Sequence, residues 1–405
     1  MSRHLFRSRL SAIAVILTML CGMLGSLATS QAQSRRQPPS TNQKKNKRPD
    51  GTPKEEVPTD VVGKPQDAET ITITTSVVNI EAAVYHKKTG KVIADLKKEN
   101  FAIFEDGVQK PITNFSTPEA PLTVAMVVEY SKLTAELGGS GMEPGRYEFL
   151  RPMAMFLSQF VKPPDDYVSV IAFDIRPTPI TDFTNDPRRI QQTIDLMLRN
   201  YPAFREVNLF DALKFTLIGG KGDSVVLENS KAETAQYGGL VDIQGRRKAV
   251  ILIASGLDTF SKINYDKMRK IAQNAGVPIY IIGTLHYFIK KYGDFIGAEN
   301  DMMNNPGRLS FLQAENTLKT FAKETGGAYY PVTFEGELPS VLGSINALLR
   351  SQYSLAFDPG EQKRDGKQRK LVVKVDVDGD GQYDDKEFIV QHRPFYNAPK
   401  DEKAK

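Results

Sequence analysis

Three kinds of hydrophobic pattern succeed one another along this chain. From Thr70 the apolar positions alternate with polar ones: Ile71, Ile73, Val77, Ile80, Ala82 and Val84 lie among Thr and Glu. The turn Lys88-Thr89-Gly90-Lys91 follows, then Val92-Ile93, Asn100 to Phe104, the turn Glu105-Asp106-Gly107, and Pro111 to Phe115. Period two with turn residues at short intervals predicts a small antiparallel β module. After Pro118 the runs become continuously apolar, at Leu122–Val128, Tyr167–Phe173, Lys248–Ala254, Val277–Ile282 and Ala328–Val332. Such runs predict strands covered on both faces. Between them lie helical stretches at about 147–161, 188–198, 209–217, 265–274 and 318–325, and a last one at 337–349. Strands alternating with helices predict an α/β fold, a doubly wound parallel sheet with helices on both faces. The segments 221–245 and 287–308 read as inserted loops, the second rich in Tyr, Phe and Met and a candidate contact surface. Period two then returns at 352–357, 370–375 and 387–391, which predicts a β extension packed with the first β module.

The ends of the chain bear on its destination. Arg3, Arg7 and Arg9 precede an uncharged, largely apolar run from Leu10 to Ala28, and Ser30-Gln31-Ala32 supplies small residues before Gln33. This is the pattern of an export signal, and it predicts a periplasmic or extracellular protein. The run is also long enough to serve as an uncleaved membrane anchor. Cys21 is the single cysteine and lies inside the run, so cleavage would leave no thiol for disulfides or zinc. Residues 33–69 are rich in Pro, Lys, Gln and Asn and read as a linker, because such a composition buries too little surface to offset chain entropy. The expected organisation is a signal at 1–32, the linker at 33–69, a β module at 70–117, an α/β domain at 118–350, a β extension at 351–399 and a tail at 400–405.

Composition narrows the chemistry. A net charge of +5 on 405 residues is too small to argue for nucleic acid, and Arg35, Arg36, Lys44, Lys45, Lys47 and Arg48 concentrate much of the basic charge in the linker. The four histidines, His4, His86, His286 and His392, fall in no metal-ligand spacing, and neither a phosphate loop nor a Gly-x-Ser-x-Gly elbow occurs. The expectation is a binding protein, not an enzyme.

The order of several short pieces resembles a von Willebrand factor A domain, and more narrowly the exported bacterial group called VWFA-related acidobacterial proteins. The pieces are Leu96 to Gly107, the first buried strand before Glu129-Tyr130-Ser131, Asn208 to Leu213, the strand ending at Ser255-Gly256-Leu257-Asp258, Thr325-Gly326-Gly327, and Arg393 to Tyr396. The resemblance covers about 70–399. It implies a metal-ion-dependent adhesion site at the C-terminal edge of the sheet, where Mg²⁺ is held by an Asp-x-Ser-x-Ser loop, a Thr and a later Asp. In this chain Glu129 stands at the first Asp, Ser131 matches the first Ser, Leu133 stands at the second, Val207 at the Thr and Ser255 at the later Asp, with Asp258 three residues on. Val and Leu offer no oxygen, so a degenerate site with little or no Mg²⁺ is expected. The resemblance implies adhesion to an unidentified protein or cell-surface ligand; an accessory or assembly subunit of an envelope enzyme complex is the alternative.

One further motif stands on its own residues. Asp376 to Glu387 fits the twelve-residue calcium loop, with Asp376, Asp378, Asp380, Gln382, Asp384 and Glu387 at the ligand positions and Gly381 at the sharp turn. Its flanks alternate like strands, which predicts a Ca²⁺-stabilised hairpin tip, with a plain acidic turn as the alternative.

Overall fold

The computed structural model describes residues 77–132, 153–158, 160, 162, 164–200, 202–223, 234–300, 306–360 and 365–398. The expected export signal and linker, the first residues of the expected β module (70–76), Leu133, the beginning of the expected 147–161 helix and the tail lie outside them, as do the side chains of Tyr287, Phe288, Tyr292 and Phe295.

The strands are β1 (Val78–His86), β2 (Val92–Ile93), β3 (Phe101–Glu105), β4 (Val108–Lys110), β5 (Asn114–Ser116), β6 (Leu122–Glu129), β7 (Tyr167–Phe173), β8 (Pro177–Thr184), β9 (Gly219–Asp223) and β10 (Thr234–Gly238). They continue with β11 (Arg247–Ala254), β12 (Ile279–Gly283), β13 (Tyr329–Pro331), β14 (Tyr353–Phe357), β15 (Gln368–Val375), β16 (Phe388–Gln391) and β17 (Phe395–Asn397).

The five continuous apolar runs form one sheet in the order β13-β12-β11-β6-β7, all parallel, and β8 completes the edge antiparallel to β7. Period two is present inside these runs although composition hides it. In β6, Val124, Met126 and Val128 face one core with helix Leu338–Leu349, while Ala125 and Val127 face the other with helices Leu209–Ile218 and Arg308–Thr325. Helices on both faces thus account for strands with no polar side. The sequence reading left β8 unassigned. Its prolines at 177 and 179 suit an edge strand, where missing N–H donors do no harm.

Two expectations change. The 221–245 segment includes most of a hairpin, β9 with β10, and Tyr237 from it stacks on Phe215 and hydrogen-bonds Ser169 Oγ at 2.8 Å. The 287–308 segment is not simply a loop, since a helix spans Leu285–Tyr292 and the next helix begins at Arg308, ten residues before the predicted start.

The early and late β segments interleave. β1 pairs with β14 through Val78–Ala82 and with β16 through Ala83–His86, while β15 pairs with β3. The sheets β16-β1-β14-β5 and β17-β15-β3-β4 close over a shared core that includes Ile80, Ile103, Tyr353 and Val373. Ser116 of β5 lies opposite Ser354 of β14, so the α/β domain is inserted where a hairpin turn would otherwise join two neighbouring strands.

Both connections are held by one side chain. The buried Arg247 guanidinium donates to the carbonyls of Ala120 at 3.1 Å and Pro118 at 2.5 Å on the way in, and of Leu349 at 2.7 Å and Gln352 at 3.1 Å on the way out. Further bonds tie the β module to the lower, N-terminal edge of the parallel sheet. Gln391 Nε2 donates to Gly327 O at 2.9 Å, Asn397 Nδ2 to Gln273 Oε1 at 2.8 Å, and Arg393 Nη1 to Gln273 O at 3.5 Å. Gly326, at φ +84°, presses its Cα against the Arg393 backbone, where a Cβ would lie 2.5 Å from a nitrogen. The lower edge is therefore occupied by the chain's own β module, and the C-terminal edge faces away from it.

Candidate functional site at the upper sheet edge

At the upper edge β6 ends in Glu129 and β11 runs into Ser255, and these adjacent parallel strands bring the two residues together. Glu129 is buried. Its Oε2 accepts from the Ser255 amide at 2.6 Å and from Ser255 Oγ at 2.7 Å, and Oε1 accepts from Ser131 Oγ at 3.2 Å. Burial holds the Glu129 carboxyl above the ordinary range, against the lowering effect of the Ser255 and Ser131 donors.

After Ser255 the chain turns at Gly256, whose φ is +86° and whose Cβ, if present, would lie 2.8 Å from Ala314 O. That turn delivers Asp258 to the first turn of helix Leu209–Ile218. Asp258 Oδ1 accepts from the amides of Leu209 at 2.9 Å and Phe210 at 3.3 Å and from Ser261 Oγ at 2.5 Å. It thus caps the helix in place of Asn208, whose own side chain makes no cap bond and whose Oδ1 is buried without a partner. Burial raises the Asp258 carboxyl as well. Asp211 accepts from the amides of Lys262 at 2.9 Å and Ile263 at 3.2 Å, so the first turn of this helix is tied to the loop after β11.

The donor set does not fit a near-octahedral cation. Val207 points into the core at zero exposure, and its amide donates to Thr259 Oγ1 at 2.8 Å. Ser255 offers a hydroxyl where a carboxylate is needed, and that hydroxyl already serves Glu129. Of the three residues read from the sequence, Glu129 and Ser131 meet, whereas Asp258 belongs to a neighbouring capping interaction.

On the same loops stand Phe204 and Phe260, 43% and 54% exposed. The Lys132 amide donates to Phe204 O at 2.6 Å, and the Phe260 amide to Val207 O at 3.0 Å, which fixes both backbones beside the Glu129 cluster. Sequence reading passed over these two residues. A large aromatic in a loop directly flanking a site position was the available signal.

The acidic loop is a separate candidate metal centre. Asp376, Asp378 and Asp384 can each bring a carboxylate oxygen within 4.8 Å of the others'. The turn is built by Asp376, which accepts from the amides of Gly379 at 2.7 Å and Gly381 at 2.8 Å, and by Asp384, which accepts from the Val377 amide at 2.7 Å. Asp380 is exposed and accepts from the amide of Gln382 at 2.7 Å, while the Glu387 amide donates to Asp384 O at 3.0 Å. Asp380, Gln382 and Glu387 are not part of the three-carboxylate group. The hairpin expectation needs correction. β15 and β16 belong to different sheets, so the loop crosses between two layers and no ladder joins its arms.

No family model and no curated protein matches the chain by sequence. Solved structures resemble its fold at low identity. The BatB protein of Bacteroides thetaiotaomicron is 13% identical over 57% of this chain and 100% of its own, with a TM-score of 0.36. The vWF domain of Mfa5, the type V pili tip protein of Porphyromonas gingivalis, is 13% identical over 56% of this chain and 94% of its own, with a TM-score of 0.37. The PilB minor pilin of Streptococcus sanguinis is 12% identical over 60% of this chain and 63% of its own, with a TM-score of 0.40.

Proposed function

We propose that this chain is an exported, non-catalytic binding module whose upper loops engage a protein or cell-surface ligand without a magnesium ion. The observation that carries this reading is the Glu129 knot. A buried carboxylate spends its oxygens on Ser131 and Ser255, at the place where the resembling family positions a cation. Contact with a partner then rests on the exposed surface of the surrounding loops, including Phe204 and Phe260, since aromatic side chains give large contact area at small entropic cost.

The N-terminal Arg-apolar-small pattern supports export to the periplasm or outside, with a membrane tether only if the signal stays attached. Ca²⁺ is the ion we assign to the Asp376, Asp378 and Asp384 group, because hard oxygens on a tight turn suit its flexible coordination. Its role in this reading is to brace the β module.

The test is capture of partners from an envelope fraction, using the mature chain, in Mg²⁺ with Ca²⁺, in Ca²⁺ alone and in chelator. Retention of the same partner under Mg²⁺ removal, with loss in the double variant Phe204→Ala, Phe260→Ala, is expected. Loss of capture on removing Mg²⁺ alone would overturn the proposal.

A further inference from the structure

We propose that Glu129 is a positioning residue that takes over the mechanical task of a divalent cation, latching the end of β6 to the loop after β11 by direct hydrogen bonds and so anchoring the upper edge. The inference deepens the binding reading above and rests on it for the purpose of the latch, though not for its existence.

A cation at such an edge does two things: it binds a partner, and it cross-links loops that have no backbone ladder between them. The second task survives here by other means. The side chain on β6 is one methylene longer than an aspartate, and with that reach its Oε2 spans to the amide and hydroxyl of Ser255 on β11. The shortened side chain at 255 is the complement of the lengthened one at 129, since a carboxylate there would meet Glu129 as a like charge in a buried setting. Oε1 holds the loop that follows β6 through Ser131.

The second and third loops are bound to each other by the same kind of bond. Asp258 joins the third loop to the start of helix Leu209–Ile218, and Thr259 receives the Val207 amide and donates its own amide back to Val207 O at 2.8 Å. The first loop meets the second through Lys132 and Phe204. Glu129, Ser131 and Ser255 are buried, so each bond replaces one that water cannot supply, and loss of the carboxylate would leave donors unsatisfied. The consequence is a contact face that is pre-formed and indifferent to divalent cation supply.

The experiment is amide hydrogen exchange on the whole mature chain carrying Asp376→Asn, Asp378→Asn and Asp384→Asn, so that cations at the acidic loop do not contribute. Protection of 204–210 and 255–262 is expected to be the same with millimolar Mg²⁺ and with chelator. In the added variant Glu129→Gly, exchange in these two segments should rise about tenfold or more while β1 and β15 stay protected. Formate should restore protection by refilling the carboxylate's place, and Glu129→Gln, which keeps one acceptor for the Ser255 amide, should lie between.

A cation-dependent change in the Glu129 chain would overturn the latch, as would exchange in Glu129→Gly that rises equally throughout or is unmoved by formate. Should Glu129→Gly fail to fold, Glu129→Gln carries the test, with a rise confined to the two segments expected and unchanged protection overturning it. Failure of the binding reading looks different: the exchange pattern would hold while partner capture showed no dependence on Phe204 and Phe260.

Discussion

Glu129 and the Asp376 loop are both carboxylate sites in one chain, and they are built on opposite principles. Glu129 is buried at a strand end with donors already on each oxygen, so its geometry is complete without an ion. The Asp376 loop is largely exposed and gathers three carboxylates around a turn, so its like charges gain from a counter-ion. The contrast teaches that a buried carboxylate whose oxygens the fold has already furnished with donors has little left to offer an ion, whereas carboxylates clustered at a largely exposed turn have more.

The largest expected effect sharpens this contrast directly. Glu129→Ala removes the acceptor from the Ser255 amide and from two buried hydroxyls and should cost about 2–4 kcal/mol. Asp378→Ala in chelator should cost under about 1 kcal/mol, since an exposed turn can rehydrate. Thermal melting of the two variants reads the difference, and equal losses would break the comparison.

Calcium tests the other half. At about a hundredfold excess over its dissociation constant, Ca²⁺ should stabilise the chain by about 2.7 kcal/mol through the loop. The gain should vanish in Asp376→Asn, Asp378→Asn, Asp384→Asn and be untouched by Glu129→Gln. A calcium-induced shift in melting temperature that survives the triple variant would place the ion elsewhere.

Glu81 is a third case, between the other two. Burial pushes its carboxyl from 4.5 up to about 7, against the lowering effects of the Ser354 hydroxyl and of Arg247, Lys248 and Arg393. With the folded value above the unfolded one, the folded chain holds the extra proton between about pH 4.5 and 7. The associated stability is full below that window and is lost as pH rises through 7, by about 3 kcal/mol. Denaturant midpoints across this range should show the fall, and Glu81→Gln should flatten it.

The smallest effect concerns Asp258. Asp258→Ala removes a helix cap and should cost about 1 kcal/mol. Because Asp258 and Ser255 lie on the same loop after β11, the loss should couple to that of Glu129→Ala, and strict additivity in the double variant would show that the two clusters act separately.

Much of the α/β layer was legible from the residues. Four of the five continuous apolar runs are strands covered on both sides, the fifth, β13, being a partly exposed edge strand, and alternation with helices predicted the parallel sheet they form. Strand β8 escaped because prolines mask its pattern, and helix Arg308–Thr325 was cut short because its first turns expose Leu309 and Leu312 and so carry no clean amphipathic signal. The three-aspartate group was visible from spacing, since the ligands of a turn are close in sequence and Gly379 and Gly381 supply the positive φ that the tight turn requires.

Sequence by itself determined element type, the substitution of Glu129, Val207 and Ser255 at the expected metal positions, and the local calcium-type turn, because each depends on residue chemistry and short-range spacing. Tertiary structure decided which distant segments share a sheet, that the acidic loop crosses between layers, that Arg247 clasps both connections to the α/β domain, and that Glu129 closes on Ser255. Glu129 and Ser255 lie 126 positions apart. A bond between such residues exists only once β6 and β11 pair, and no local pattern encodes that pairing.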